Sequence, residues 1–303
     1  MLTEHDLDEL RPRAFAVAYR MLGSVGEAED VVQEALFRLH KADERGEGIS
    51  SPRSWVATVV TRLSIDELRS ARARRESYVG DWLPEPVVTD SADQPAERAE
   101  ISDSLSLAFL VLLESLTPEQ RAVFLLHDVF DYPYDEVAEI VEKRPDAVRQ
   151  IAVRARREID QRRPRFEASR AEREQLADRF FAAAQEGDVA DLEALLAEDV
   201  VLQGDGGGKA PALARPLFGA NRVARTLVNW RKAGARIGRI EFRRVNINGQ
   251  PGALSYDADG HLINALTVDV ADGQIQAVRS IVNPDKLAHL GDVVAWDQLL
   301  KRQ

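Results

Sequence analysis

"PDAVRQIAVRARREIDQRRPRF", residues 145–166, gathers Arg149, Arg154, Arg156, Arg157, Arg162, Arg163 and Arg165 in a chain whose formal net charge is −11. Pro145 suits a first helical position. At 100° per residue, Val148, Ile151, Ala152, Ala155 and Ile159 then fall on one side, and Arg149, Gln150, Val153, Arg154, Arg156 and Arg157 cover the other. Helical pairs Arg154/Glu158 and Arg156/Asp160 would occupy two of these bases, for tenths of a kcal/mol each. The remaining bases still need a partner. Arg and Gln in the first half of such a helix match guanine and adenine edges in a major groove. Just upstream, Val137, Ile140 and Val141 give a short helix an apolar face, and 142–144 break it, so the two helices form a helix-turn-helix.

The 303 residues allow two or three compact domains. Without cysteine, and with five scattered histidines, the chain has no disulfide, thiolate zinc site or thiol switch, and neither metal nor cofactor is expected. A signal peptide and an apolar run of membrane-spanning length are both missing, so the expected location is the cytoplasm, with no membrane partner. The acidic total argues against non-specific polyanion binding, so any nucleic-acid function must rest on local patches.

Earlier segments carry their own start signals. "SVGE" at 24–27 is a capping box opening a helix with Val32, Ala35, Leu36 and Leu39 on its inner face and Glu27, Glu29, Asp30 and Glu34 towards the other side. "SPRSW" at 51–55 opens a second helix, with Ser51 as cap, Pro52 at its first position and an inner stripe of Val56, Val59, Val60 and Leu63. Arg62, Arg69, Arg72, Arg74 and Arg75 exceed what its macrodipole needs. Residues 81–100, acidic and with three prolines, read as a linker in which Trp82 and Leu83 mark a docking point. "TPEQ" at 117–120 starts another helix, with His127 expected as a helix-end side chain. The last third reads as helix, turn, helix and strand, a helix around 219–233, then alternating strands with Gly-containing turns, which is an α+β pattern. "GDGGGK" is no phosphate loop, because Gln203 and Ala210 stand where a glycine and a Ser or Thr are required.

Together, "SVGEAEDVVQEALFRLH" (24–40), "SWVATVVTRLSIDELRSARARRE" (54–76) and "LTPEQRAVFLLHDVFDYPYDEVAEIVEKRPDAVRQIAVRARREI" (116–159) resemble regions two and four of an extracytoplasmic-function sigma factor of the sigma-70 family. The remainder resembles a SnoaL-like domain of the NTF2-like superfamily. "WLPEP" (82–86), "DGGGK" (205–209) and "NPDKL" (283–287) resemble the signature motifs of the sigma-factor group that carries this extension. The implied architecture is multi-domain, with two all-α sigma domains, a region-two bundle (1–80) and a region-four helix-turn-helix (102–168). An acidic linker (81–101) joins them, and an α+β NTF2-like cone with a regulatory role (169–303) follows.

The resemblance also implies partners. Glu29, Asp30 and Glu34 would grip core RNA polymerase. Arg62, Arg69, Arg72, Arg74 and Arg75 would hold the minus-ten element of promoter DNA. Arg144, Arg149, Gln150, Val153, Arg154 and Arg157 would meet the minus-thirty-five element. Trp82, Leu83, Pro84, Glu85 and Pro86 would form regulatory contacts with Asp205, Gly206, Gly207, Gly208 and Lys209 and with Asn283, Pro284, Asp285, Lys286 and Leu287. The cone could hold an unidentified small ligand. Three positions depart from the family pattern: Glu142 replaces a turn glycine, Arg144 a Ser or Thr cap, and Arg62 an asparagine. A ligand-sensing DNA-binding regulator independent of polymerase is one alternative. An NTF2-like enzyme with a DNA-binding appendage, using Asp199, Asp205 or His261, is the other. Carboxylates beside turns are ordinarily surface residues, so no catalytic residue is assigned and an enzyme is not expected.

Overall fold

The computed structural model of the chain describes residues 2–76, 78–89, 105–161 and 168–297, without the side chains of 71–76 and 236–237. It divides into two compact units, Met1–Ser77 with Phe109–Arg163, and Tyr78–Ala108 with Pro164–Gln303. The division falls inside a short helix, α4 (Leu107–Leu113).

The first unit is helical. Helices α1 (Glu4–Leu22), α2 (Val25–Glu44) and α3 (Pro52–Glu76) pack together, and α5 (Pro118–Phe124), α6 (Tyr134–Ile140) and α7 (Pro145–Asp160) follow. Their starts are where the capping residues stand. Ser24 Oγ accepts from the Glu27 N–H at 3.3 Å, and Ser51 Oγ from the Ser54 N–H at 3.3 Å. Thr117 and Gln120 complete both halves of a capping box. Val32, Ala35, Leu36 and Leu39 are buried as their spacing requires, as are Val56 and Val60, whereas Val59 and Leu63 are only half-buried. Beyond α5 the helix widens into a π turn, Leu125–Val129. His127 sits in this turn, with Nδ1 2.8 Å from the Tyr132 carbonyl and its ring stacked on Tyr134.

Two buried arginines join these helices. Arg121 of α5, 3% exposed, donates to the carbonyls of Leu113 (3.0 Å) and Met21 (2.7 Å) and to the Glu114 carboxylate (2.7 Å). One guanidinium thus satisfies the carbonyl ends of α1 and α4. Arg20, 1% exposed, lies 5.5 Å from the Phe130 ring, and burial pulls its pKa down to about 10.

In the second unit a six-stranded sheet runs in the order β2-β1-β6-β5-β4-β3. Its strands are β1 (Leu196–Asp205), β2 (Leu217–Phe218), β3 (Glu241–Ile247), β4 (Gln250–Tyr256), β5 (Leu262–Ala271) and β6 (Gln274–Ile281). The β1/β6 pair is parallel and the others are antiparallel, with register shifts in β1, β4 and β5 that bend the strands. Helices α8 (Arg170–Glu186), α9 (Val189–Leu195) and α10 (Ala220–Ile237) bury Phe180, Phe181, Leu192, Val223 and Val228 against Val268, Ile275 and Val278. This is the α+β arrangement that the order of segments implies, with the helix expected around 219–233 extending four residues further.

Arg121→Ala would leave the Glu114 carboxylate and two helix-end carbonyls without their donor, at a cost of about 3 kcal/mol. Amide exchange in α1 and α5 should then accelerate by about two orders of magnitude, whereas Ala at the exposed Arg53 should leave it unchanged.

Candidate nucleic-acid interface and strap site

On α7, Val148, Ile151, Ala152, Ala155 and Ile159 are buried, and Arg149, Gln150, Val153, Arg154 and Arg157 are exposed, Val153 to 61%. Arg144 is the N-cap residue, makes no side-chain cap bond, and donates to Asp146 at 3.1 Å. The helical pairs Arg154/Glu158 and Arg156/Asp160 do not form. Half-buried Arg156 turns to Asp128 (2.6 Å) and the Tyr134 hydroxyl (3.1 Å), a tertiary partner that outcompetes a solvated one on the same helix. Arg154 Nε donates to the Gln150 carbonyl at 3.3 Å, and the Arg149 guanidinium lies 5.6 Å from the Tyr134 ring centre. Among the described residues, neither Arg149 nor Arg154 has a carboxylate partner. Arg162, Arg163 and Arg165 lie outside the described residues.

The turn before α7 holds Glu142 at φ 55°, the left-handed region where glycine is unstrained. Arg62 of α3 meets it there. Nε and Nη2 donate to the carbonyls of Ile140 and Glu139, each at 2.9 Å, and Nη1 lies 2.9 Å from the Glu142 carboxylate. A guanidinium is therefore satisfying the last carbonyls of α6, the end where positive charge is favoured. Arg69, one face further along α3, pairs with Glu119 (2.5 Å) and Asp66 (3.2 Å), and its hydrogen bond holds the Glu119 carboxyl below the usual range. The side chains of Arg72, Arg74 and Arg75 lie outside the description.

Glu29, Asp30 and Glu34 project from the exposed side of α2, with Glu34 2.6 Å from Arg38. Phe37 stands beside them, 51% exposed, with Lys41 Nζ 4.5 Å from its ring centre. The sequence signals it only as an aromatic residue on a polar face.

Residues 78–89 form a strap on the second unit, centred on Asp205, the last residue of β1. Its carboxylate has no solvent exposure and accepts from the Tyr78 hydroxyl (2.5 Å), the Leu83 N–H (2.8 Å) and Lys286 Nζ (2.6 Å). Lys286, in the short helix α11 (Pro284–Leu287), also donates to the Leu83 carbonyl and lies 4.2 Å from the Trp82 ring centre. Burial, then the Asp205 carboxylate, pushes the Tyr78 phenol well above its usual pKa. Asn283 caps α11 by accepting from the Asp285 N–H and donates to the Tyr78 hydroxyl at 2.8 Å, while Lys209 pairs with Asp285. Leu83, Pro84 and Pro86 are buried and Glu85 half-buried, and the Pro86 carbonyl lies 2.8 Å from His289 Nε2. Val87 and Asn248 exchange two hydrogen bonds, so the strap continues beside β3.

The glycines of 206–208 allow this approach. A Cβ on Gly206 would meet the Ala210 carbonyl at 2.3 Å, and one on Gly207, whose φ is +57°, would meet Asn283 Nδ2 at 2.2 Å. Gly208, at φ +73°, faces Val79. Tyr78, Asn248 and His289 were not legible as partners, because no local pattern distinguishes them. The part of the linker from 90 onward lies outside the described residues.

Residues 7–74 match the family described as Sigma-70 region 2, and residues 106–159 match Sigma-70, region 4. The ECF RNA polymerase sigma factor SigJ of Mycobacterium tuberculosis is 38% identical over 292 residues, 93% of this chain and 92% of that protein. The chain belongs to the ECF RNA polymerase sigma factors. SigG of the same organism is 30% identical over 295 residues, covering 90% of this chain and 78% of that one. The crystal structure of SigJ superposes with a TM-score of 0.75 at 33% identity, covering 94% of this chain and 98% of that chain.

In this sigma factor none of the three residues weighed for enzyme chemistry stands in a catalytic array. Asp205 is engaged by the strap, and Asp199 is exposed. His261 bonds to Asp257, which also accepts from the Asp259 and His261 N–H groups to close the β4–β5 turn. No helix among the described residues is long and apolar enough to cross a membrane.

Gly207→Ala should dislodge Asn283 and Tyr78 and accelerate limited proteolysis within 78–89 at least tenfold. Gly48→Ala is the control. It carries the same φ of +57° but has nothing within 4 Å of the added carbon, so it imposes strain without a clash.

Proposed function

We propose that this sigma factor engages core RNA polymerase through the acidic side of α2 and reads promoter DNA through α3 and α7. In this reading the C-terminal extension, by holding the strap, controls when those helices are available. Members of the family direct RNA polymerase to promoters and start transcription. The observation that carries the assignment of residues is the exposed arc of α7, where Arg149, Gln150, Val153 and Arg154 stand together without carboxylate partners. Arg149 and Gln150 suit base edges, Val153 suits a thymine methyl, and Arg144, Arg154 and Arg157 suit phosphates. Glu29, Asp30 and Glu34, with Phe37 among them, offer polymerase a charged patch with an apolar centre.

Arg62 and Arg69 support a restrained resting state. Both are expected on the minus-ten element, yet their guanidinium groups are engaged by the α6 end, Glu142 and Glu119. Promoter engagement then begins with release of this latch. The strap contributes because it lies, in sequence, between the two matched regions and is bound to the extension.

Run-off transcription with purified core polymerase tests the reading. Arg149→Ala should lose about 1–3 kcal/mol of discrimination at the upstream element. Equal loss on scrambled DNA would assign Arg149 to phosphate alone, and no transcript from the wild-type protein at any cognate promoter would end the proposal. Glu142→Gly suits the left-handed turn but removes the ion pair with Arg62. Because that pair is largely exposed, promoter output should rise by no more than about fivefold. Unchanged or lower output would show that the latch does not restrain.

A further inference from the structure

The second unit encloses a cavity of about 430 Å³ between α8, α10, strands β4 to β6 and the segment ending at Trp296. Its walls are mainly apolar, with Phe181, Leu227, Trp230 and Leu266 among them. Two polar atoms interrupt them. Asn264 Oδ1 and Trp296 Nε1 are buried and find no hydrogen-bond partner among the described residues, although both side chains line the cavity and Trp296 is only 9% exposed. Buried donors and acceptors are rarely left unpaired, so an orphan acceptor and an orphan donor on one cavity indicate what it receives. Charge does not bias the site towards an ion, since Arg231 and Arg239 line it together with Asp257 and Asp259. Asp257 is already committed to its hairpin turn.

We infer that this cavity is a receptor site for a neutral, mostly apolar small molecule that offers an acceptor to the Trp296 N–H and a donor to Asn264 Oδ1. Its position ties occupancy to the strap. Gly204 lines the cavity while its neighbour Asp205 holds the strap, and Val282 lines it while its neighbour Asn283 does. Successive residues of an extended chain face opposite ways, so β1 and the end of β6 form the wall of one site and the floor of the other. The binding claim stands without the promoter reading. Only its regulatory consequence rests on that reading.

The probe is 6-acetyl-2-naphthol, a fused aromatic with a ketone acceptor and a phenol donor. It is compared with 2-acetylnaphthalene, which lacks the donor, and with the anionic 6-hydroxy-2-naphthoate. Calorimetric titration of the full chain should give one site per chain for the naphthol, with about tenfold weaker binding of the other two. Asn264→Leu should weaken the naphthol about tenfold and leave 2-acetylnaphthalene unchanged, and Trp296→Phe should weaken both. Saturating naphthol should also change the proteolysis rate within 78–89. Failure of all three compounds to saturate, tighter binding of the carboxylate, or equal loss of both neutral compounds in Asn264→Leu would overturn the inference. If a variant does not fold, the comparison of the three compounds on the wild-type chain still decides it. No polymerase is present, so this result and the transcription result fail independently.

Discussion

A carboxylate with no solvent exposure is tolerated only if its charge is opposed and its oxygens are hydrogen-bonded, and at Asp205 the groups that do this come from three distant places in the chain. Lys286 supplies the charge, and Tyr78 and Leu83 supply the remaining donors. The parallel pairing of β1 with β6 is what makes this possible, because it ends both strands at the same edge and sets Asp205 beside the turn into α11. Each partner thus depends on the others, and the linker that the sequence places between two sigma regions belongs physically to the extension.

The arginines of this acidic chain divide by environment rather than by number. Arg121 is buried and ties helix ends together. Arg62 sits at the surface but spends its donors on backbone carbonyls. Arg149 and Arg154 remain turned outward. Their side chains are chemically the same, so the distinction comes from which carbonyls and carboxylates the packed helices bring within about 3 Å. Net charge is silent about such differences.

What the sequence disclosed was local. Ser24, Ser51, Thr117 and Pro145 mark helix starts because a cap acts on its own next turn, and the α7 stripe is set by periodicity alone. The left-handed Glu142 follows from the turn it occupies. Trp82 and Leu83 announced that they dock, since apolar residues in a polar linker need cover, but not on what. Arg156 and Arg62 escaped, because their partners lie 28 and 77 or more residues away and no periodicity relates them. The cavity escaped for the same reason, since Asn264 and Trp296 meet only after hairpin and tail have folded.

The strap hydrogen bond from Lys286 to Leu83 spans 203 residues of sequence. Translation at roughly 5–20 residues per second separates the emergence of those two residues by about 10–40 s. Throughout that interval the nascent chain already holds both DNA-reading helices, while the anchor for its connector has yet to be synthesised. Every molecule of this protein therefore begins life unfastened, and acquires its restraint only as the ribosome finishes.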